Sequence, residues 1–382
     1  MSEHADVIIA GLGAMGSAAA AHLAARGVPV LGFDRFTPPH ALGSSHGQTR
    51  VIREAYFEDP VYVPMVQRAY DLWHDLETAS GQQLYLPTGG LMIGPADGVL
   101  VSGARRSAET HRLKHEVLEA QEIRRRFPAF HVPDRMSGIW EPRAGILFPE
   151  RCIEVLLEQA RRMGADLHTE EPIERWEATD DDVTVTTAQG RYTAGQLLLT
   201  AGSWLPGLWT AGHRHLQVER QSLFWFDPRT PDLFRPEKCP IHMWEYGPGR
   251  HFYGMPDLGH GAKVAVHYQG EATQPDEVRR DVSRREIQAM QELVAPYLPG
   301  LGDRCVETAV CLYTNTPDGH FLIDRHPDHA KVWLVSPCSG HGFKFSPVIG
   351  EMLADLATGT PPRYPLEAFR LNRLGRSLFG AT

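Results

Sequence analysis

The sequence predicts an α/β (α+β) protein with two packed units, one of the Rossmann type and one built on a mixed or antiparallel sheet. A strand, a glycine-rich turn, a helix and a second strand follow one another within residues 5–34, which is the order of a βαβ unit. Alternating and aromatic segments dominate from about residue 216 to residue 310, as is typical of antiparallel strands. A chain of 382 residues is long enough for two such units.

The opening unit is predicted from three adjoining segments. Residues 5–11 (ADVIIAG) form a short apolar run that ends in glycine, which indicates a buried parallel strand. Residues 14–26 are rich in helix formers, and Gly27 is well placed to end that helix. Residues 28–34 (VPVLGFD) then predict a second strand.

The same signals predict the remaining elements in order. They are a short strand at 89–94, a helix at 150–165, a hairpin and a buried strand within 182–204, antiparallel strands at 222–227 and 251–256, a helix at 283–298, a strand at 331–337 and a helix at 347–359. The sequence has neither an internal repeat nor a low-complexity tract. Its proline-rich stretches are short, so we expect no long linker.

Composition excludes several classes of protein. The net charge is −9, from 38 basic and 47 acidic residues, which argues against a nucleic-acid-binding face. The five cysteines are an odd number without CxxC spacing, so we expect no disulfide framework, no zinc cluster and no other metal. The N-terminus lacks a basic n-region, and no run approaches the ~20 apolar residues of a membrane span. We therefore expect a cytoplasmic protein with no membrane partner.

Gly11, Gly13 and Gly16 form the pattern G-x-G-x-x-G between the first strand and the first helix. The first glycine permits the tight turn, the second lets a pyrophosphate approach the backbone, and the third permits close helix–strand packing. The helix N-terminus supplies N–H donors to the phosphates. Asp34 ends the second strand, where a carboxylate binds a ribose hydroxyl. The pattern predicts a dinucleotide site and fits either NAD or FAD.

Three further segments carry a resemblance to a known family. They are GSSHGQTRVIREAY at 43–56, CLYTNTPDGHFLID at 311–324 and SGHGFKFSP at 339–347. Together they resemble the monomeric sarcosine oxidase family of flavin amine oxidases, which includes N-methyl-tryptophan oxidase. The resemblance covers nearly the whole chain in the same motif order, and it implies a monomer that binds FAD.

The resemblance also implies the domain boundaries. The FAD-binding domain is expected to be discontinuous and to comprise residues 1–82, 144–213 and 311–382. The substrate domain is expected to comprise residues 83–143 and 214–310.

The family attaches FAD through its 8α-methyl group to a cysteine that matches Cys311. The common fate of such a residue is a buried free thiol, and the surrounding motif is what favours a flavin anchor here. The resemblance further implies that Ser44, Gly342 and Phe343 contact the cofactor.

The resemblance assigns Arg53 and Lys344 to the substrate carboxylate, places Lys344 also against the cofactor, and places Arg50 beside the flavin ring. A guanidinium fork suits a carboxylate because two parallel charged hydrogen bonds fix its orientation. With a spacing of three, Arg50 and Arg53 are predicted to share one helical face. In proteins generally, two arginines at this spacing more often lie on the solvent-exposed edge of a helix.

Lys263 and His267 lie four residues apart in a predicted strand, so their side chains are expected to face one side. The resemblance implies that Lys263 activates dioxygen on the flavin face opposite the substrate. It also implies that His267 lies beside the substrate amine. It further implies that Tyr253 and Tyr313 line the substrate pocket, although aromatic residues in strands usually belong to the hydrophobic core.

The implied activity is oxidation of a secondary amino acid, sarcosine or another N-methyl amino acid, by FAD and dioxygen. The products are an imine, then an aldehyde and an amino acid, with hydrogen peroxide. N-methyl-tryptophan, pipecolate or another bulky or cyclic secondary amine remains open as the substrate, since Pro337, Cys338 and the loop at 245–251 depart from the family pattern. The alternatives are an NAD-dependent dehydrogenase, a flavin dehydrogenase with a non-oxygen acceptor, and a non-catalytic flavoprotein.

Overall fold

The structure, a computed structural model, describes residues 4–209 and 211–375. In these residues the strands are β1 (His4–Ala10), β2 (Val30–Phe33), β3 (Arg50–Ile52), β4 (Tyr85–Pro87), β5 (Gly90–Pro95), β6 (Glu116–Glu119), β7 (Met136–Glu141), β8 (Gly145–Leu147), β9 (Asp166–His168), β10 (Arg175–Ala178), β11 (Val183–Thr186), β12 (Arg191–Leu199), β13 (Gln217–Pro228), β14 (Ile241–Gly247), β15 (Arg250–Asp257), β16 (Ala262–His267), β17 (Glu271–Ala272), β18 (Leu301–Asn315), β19 (Leu322–Arg325) and β20 (Val332–Ser336). The α-helices are α1 (Ala14–Ala25), α2 (Val63–Ser80), α3 (Val99–Thr110), α4 (Ala120–Arg126), α5 (Pro149–Arg162), α6 (Leu205–Leu208), α7 (Arg284–Val294) and α8 (Ser346–Ala357).

The first sheet gathers strands from three distant parts of the chain. Its main order is β10-β11-β12-β1-β2-β9, and β20 pairs with both β12 and β19. The neighbours of β1 are parallel to it, with Val7 opposite Val30 on one side and opposite Gln196 on the other. This arrangement confirms the predicted strand–helix–strand unit and the Rossmann-type sheet.

Helix α1 covers this sheet between α5 and α8. Its residues are small, and Ala18, Ala19 and Ala20 are fully buried. At Gly350 of α8, an added Cβ would lie 2.6 Å from the backbone of Ala18. The alanine-rich sequence therefore permits close contact between the two helices, which draws the C-terminal segment onto the nucleotide unit.

The second sheet is mixed, in the order β17-β13-β16-β15-β14-β5-β7-β6 with β18 paired to β13. The β14–β5 pair is parallel, whereas the other pairs described are antiparallel. The predicted mixed or antiparallel second sheet is therefore confirmed. Residues 311–315, which the predicted boundary assigns to the FAD-binding domain, lie at the end of β18 in this sheet.

A third, three-stranded sheet joins β3, β8 and β4 in that order. The prediction that Arg50 and Arg53 share a helical face is wrong, because Arg50 begins β3 and pairs with Leu147 across to β8. Arg53 follows directly after the strand. Pairing with a segment almost one hundred residues away is not encoded in the local spacing of the two arginines.

The other predicted elements are present within a few residues of their expected ends. Ser283 caps α7 by accepting a hydrogen bond from the Glu286 amide, and the two residues form a capping box. Helix α2 is an element that the sequence analysis does not predict. Within the described residues, no helix combines the length and hydrophobicity needed to cross a membrane.

Candidate active site

A cavity of about 460 Å³ lies between the first and second sheets. One end is lined by the glycine turn and Asp34, and the other by side chains of β15, β16 and β18. The residues at this second end that the sequence singles out are Tyr253, His267, Cys311 and Tyr313, with Arg50, Arg53 and residues 342–344 beside them. The structure thus joins the predicted dinucleotide site to the predicted substrate pocket.

The glycine turn has the geometry that a bound pyrophosphate requires. Gly11 has a φ of 98°, and a Cβ there would lie 2.7 Å from Ala201 Cα. A Cβ on Gly16 would lie 1.8 Å from the Gly11 oxygen, so this glycine permits helix–strand packing. At Gly13 an added Cβ would meet no atom within 4 Å. The backbone at Gly13 therefore faces open space at the start of α1, where phosphates bind.

Asp34 lies at the same end of the cavity. Its Oδ2 accepts a hydrogen bond from the Leu12 amide at 2.8 Å, and its Oδ1 accepts one from the Phe36 amide at 2.8 Å. Burial raises the pKa of the carboxyl, while these two amides act in the opposite direction. A carboxylate has about four acceptor positions, so Asp34 retains the capacity to accept a ribose hydroxyl.

Cys311 is 2% exposed and lies in β18, next to Arg50 and Ser44. Arg50 Nη2 lies 3.5 Å from the Cys311 sulfur and 2.6 Å from the Ser44 carbonyl oxygen. The thiol in turn lies 3.4 Å from that carbonyl oxygen. The geometry holds the positive charge of Arg50 beside the sulfur.

Lys344 lies in a short 3-10 helix, Phe343–Phe345, and lines the cavity. It is 5% exposed, and its Nζ donates to the His341 carbonyl at 2.7 Å and to the Tyr56 hydroxyl at 3.2 Å. Burial, followed by the Arg53 charge, lowers the pKa of Lys344 to about 7. Lys344 therefore titrates in the neutral range.

Arg53 has a partner that the sequence analysis misses. Its Nη2 donates to both carboxylate oxygens of Glu58, at 2.8 and 2.7 Å, and its Nη1 donates to the Ala55 carbonyl at 3.0 Å. Burial acts to raise the pKa of Glu58, but the Arg53 charge and hydrogen bond lower it to about 2. Glu58 is therefore ionised, and its carboxylate occupies part of the Arg53 fork.

His267, Tyr253 and Tyr313 form an aromatic wall of the same cavity. His267 Nδ1 lies 3.3 Å from the Tyr313 hydroxyl. Burial lowers the pKa of His267 to about 3 and raises the pKa of Tyr253 to about 12. The wall is consequently uncharged at neutral pH and consists of aromatic surface with polar edges.

Lys263 is 1% exposed and lies against the segment that carries the arginines. Its Nζ donates to the Gly47 carbonyl at 2.8 Å, the Thr49 carbonyl at 3.1 Å and the Thr49 hydroxyl at 3.2 Å. Burial, followed by the Arg50 charge, lowers the pKa of Lys263 below its usual value. Three oxygen acceptors match the three donors of an ammonium group, so the contacts favour the charged form.

The arrangement fits a flavin dinucleotide. The open space at Gly13 suits a pyrophosphate, and the continuous cavity connects it with Cys311 and residues 342–344. In the described part of the chain, no group of three or more His, Cys, Asp or Glu side chains is placed to hold a metal ion.

The sequence contains weak signals for Tyr56, Glu58 and His341, which the sequence-based prediction does not assign to the site. Glu58 and Tyr56 lie in the segment AYFEDP, directly after the arginines. An acid in such an apolar setting needs a partner when buried. His341 lies within the quoted motif SGHGFKFSP, although nothing in the local pattern shows that its ring would meet Tyr56.

Comparison with known proteins extends these observations. Residues 6–356 match the FAD dependent oxidoreductase family. The chain is 45% identical to monomeric sarcosine oxidase of Streptomyces avermitilis, over 98% of this chain and 99% of that protein. It is 35% identical to N-methyl-L-tryptophan oxidase of Salmonella arizonae, over 97% of this chain and 99% of that protein.

Among solved structures, the fold is similar to the open form of NikD, described as an unusual amino acid oxidase essential for nikkomycin biosynthesis. The TM-score is 0.84 at 24% identity, with 97% of this chain and 98% of that chain covered. This likeness supports the fold assignment.

Proposed function

Because the chain belongs to the FAD dependent oxidoreductase family, we propose that it oxidises secondary amino acids, sarcosine or another N-methyl amino acid, with dioxygen as the electron acceptor. The observation that carries the proposal is the pair of buried cations, Arg53 and Lys344, beside an uncharged aromatic wall in a cavity continuous with the dinucleotide site. The products are an imine, which water hydrolyses to an aldehyde and an amino acid, and hydrogen peroxide.

FAD, when bound, supplies the two-electron acceptor for this oxidation and returns the electrons to dioxygen. Gly11, Gly13 and Gly16 would hold its pyrophosphate, and Asp34 its ribose. Ser44, Gly342 and Phe343 would contact the cofactor near Cys311, which we propose as its covalent attachment point.

Arg53 and Lys344 bind and orient the substrate carboxylate in this proposal. Two cations on one carboxylate fix its direction, and such positioning supplies a large part of catalysis. Glu58 already binds Arg53 through both carboxylate oxygens. The substrate carboxylate therefore has to share or displace this contact, which favours ligands that also reach Lys344.

His267 and the two tyrosines border the substrate amine. The low pKa of His267, about 3 because of burial, leaves the imidazole uncharged, so it does not repel an amine that still carries its proton. Tyr253 and Tyr313 exclude water from the reacting carbon. A dry wall of this kind strengthens the electrostatic contacts made by the two cations.

Arg50 and Lys263 act on the cofactor side. Lys263 is proposed to stabilise the negative charge that develops on dioxygen as it is reduced, through a fixed positive charge. Arg50 holds the Ser44 carbonyl and stands beside the Cys311 sulfur, which places its charge next to the attachment point.

The relatives are named for different substrates, so they do not determine which N-substituent and side chain the substrate of this protein carries. The similarity to a monomeric sarcosine oxidase supports sarcosine and a monomer, while the similarity to N-methyl-L-tryptophan oxidase supports a bulkier N-methyl amino acid. A peroxide assay over sarcosine, N-methyl-tryptophan and pipecolate tests the proposal. Peroxide from at least one secondary amino acid is expected, and turnover only with an artificial acceptor would indicate a dehydrogenase.

Replacing Cys311 with serine is expected to convert the covalent flavin to a dissociable one. A serine hydroxyl is a far poorer nucleophile than a thiolate, so the attachment should not form. After acid precipitation, the yellow colour should stay with the wild-type pellet and appear in the supernatant of Cys311→Ser.

Cys338 is the matched control, because it also lines the cavity and its sulfur accepts the Thr314 amide at 3.3 Å. Cys338→Ser should keep its flavin in the pellet. Loss of all flavin from the precipitated wild type would contradict the covalent attachment.

A further inference from the structure

Lys344 is one end of a chain of hydrogen bonds beside the cavity, which His341 also lines. Its Nζ lies 3.2 Å from the Tyr56 hydroxyl, which lies 2.7 Å from His341 Nδ1. His341 Nε2 lies 3.0 Å from the Gly319 carbonyl oxygen. Tyr56 is fully buried and His341 is nearly so, so the bonds of the Tyr56 hydroxyl to Lys344 and to His341 Nδ1 are shielded from bulk water. The bond to Gly319 is partly buried.

The direction of these bonds follows from the acceptor at the far end. A carbonyl oxygen only accepts hydrogen bonds, so His341 Nε2 carries a proton. Burial lowers the pKa of His341 to about 4, so the ring is neutral at neutral pH and Nδ1 is unprotonated. The Tyr56 hydroxyl accordingly donates to Nδ1 at 2.7 Å, with the His341 carbonyl oxygen as a second acceptor at 3.2 Å. In both cases it presents its lone pairs to Lys344.

We propose that Tyr56 and His341 are positioning residues that keep Lys344 in its charged, carboxylate-binding form. The Tyr56 oxygen and the His341 carbonyl accept two N–H groups of the ammonium. An ammonium group has a third donor, and Lys344 lines the cavity, so that donor is left for a ligand carboxylate. This inference rests on the proposed carboxylate clamp.

The charged side chains around Lys344 either lower or raise its pKa. Arg53 and Arg50 disfavour the ammonium, whereas Glu58 favours it. Burial alone would remove the proton from a lysine that lacked acceptors. The Tyr56 oxygen is therefore one of the few contacts that offset burial, and its removal should shift the titration of Lys344 to lower pH.

The test measures binding of propionate, a carboxylate without an amine, to the flavin-loaded enzyme across neutral and alkaline pH. Binding is followed by the change in flavin absorbance. In the wild type, the Kd should rise as the pH rises through about 7, where Lys344 loses its proton. In Tyr56→Phe, the rise should begin about one pH unit lower, since a hydrogen bond to a charged group is removed.

Tyr62→Phe is the matched control. Tyr62 packs against Tyr56 with ring centroids 4.9 Å apart, but its hydroxyl pairs with His320 Nδ1 at 2.9 Å. This variant should titrate like the wild type. His341→Phe is a second test. It removes Nδ1, the nearer acceptor of the Tyr56 proton, and leaves the main-chain carbonyl of residue 341 at 3.2 Å. It should therefore move the rise in Kd in the same direction as Tyr56→Phe, but by a smaller amount.

The outcomes separate this inference from the proposed function. If Lys344→Met abolishes the pH dependence while Tyr56→Phe and His341→Phe leave it unmoved, the clamp stands and the positioning role is overturned. If Lys344→Met retains the wild-type pH dependence, the clamp itself fails. A downward shift in Tyr56→Phe that Tyr62→Phe does not show supports the inference.

Discussion

Replacing Lys263 with methionine is expected to slow the reaction of the reduced enzyme with air by roughly 10²–10³-fold, while anaerobic reduction by substrate stays comparatively fast. The ammonium is 1% exposed and held by three oxygen acceptors of residues 47 and 49. Its charge therefore acts in a low-dielectric site, where stabilisation of a developing anion is largest. Methionine preserves much of the side-chain volume. Stopped-flow flavin absorbance measures the two half-reactions separately.

Loss of Lys263 also removes its hydrogen bonds to residues 47 and 49, which precede Arg50. The effect of the lost charge therefore has to be separated from the effect of a displaced Arg50. Glu150 provides the control, because its carboxylate accepts the Gly47 and Gln48 amides at 2.7 and 3.0 Å. Glu150→Gln weakens a second contact to the same segment and keeps the lysine, although it also removes a carboxylate charge that favours the Lys263 ammonium. Its reaction with air should remain close to that of the wild type. Unchanged reoxidation with collapsed reduction in Lys263→Met would place Lys263 on the substrate side.

Arg53→Ala is expected to raise the KM for the amino acid by roughly 10- to 150-fold. A hydrogen bond to a charged group contributes about 1.5–3 kcal/mol, which corresponds to this range. The structure adds a second reason, since Glu58 would be left without its partner and would repel the substrate carboxylate. Steady-state kinetics on a secondary amino acid measures the change.

Two further variants make the Arg53 result specific. Glu58→Gln keeps the arginine and removes the competing carboxylate. It also removes a charge that favours the Lys344 ammonium, so the KM should not rise when it is measured well below pH 7, where Lys344 stays protonated. Arg68→Ala removes an arginine outside the cavity, one paired with Glu351, and should leave the KM unchanged. A wild-type KM in Arg53→Ala would remove this residue from the carboxylate site.

The sequence predicts the nucleotide unit well because its determinants are local. The glycines, the helix formers of α1 and the apolar strands β1 and β2 are all encoded within residues 4–33. The hairpin of β11 and β12 is local in the same sense. Helix α2 has buried residues at helical spacing, among them Met65, Ala69 and Trp73, so its pattern was available although it is not among the predicted elements.

The site is less predictable because its contacts join distant segments. Arg50 lies in a strand only because β8 pairs with it. Arg53 forms an ion pair with Glu58, which is close in sequence, but the strength of that pair depends on the burial of both side chains. The bonds from Lys344 to Tyr56 and from His341 to Gly319 span 288 and 22 residues. Residue types and a family resemblance point to Arg50, Arg53 and Lys344, but tertiary packing decides which atoms they meet.

Anaerobic mixing of the purified enzyme with sarcosine, compared with dimethylamine, tests the central claim most directly. Dimethylamine is sarcosine without its carboxylate, so it keeps the reacting N-methyl group and lacks the proposed contacts to Arg53 and Lys344. The account predicts that sarcosine, or another N-methyl amino acid used in its place, bleaches the flavin and that dimethylamine does so far more slowly. Equal bleaching by dimethylamine, or none by any secondary amino acid, would contradict it.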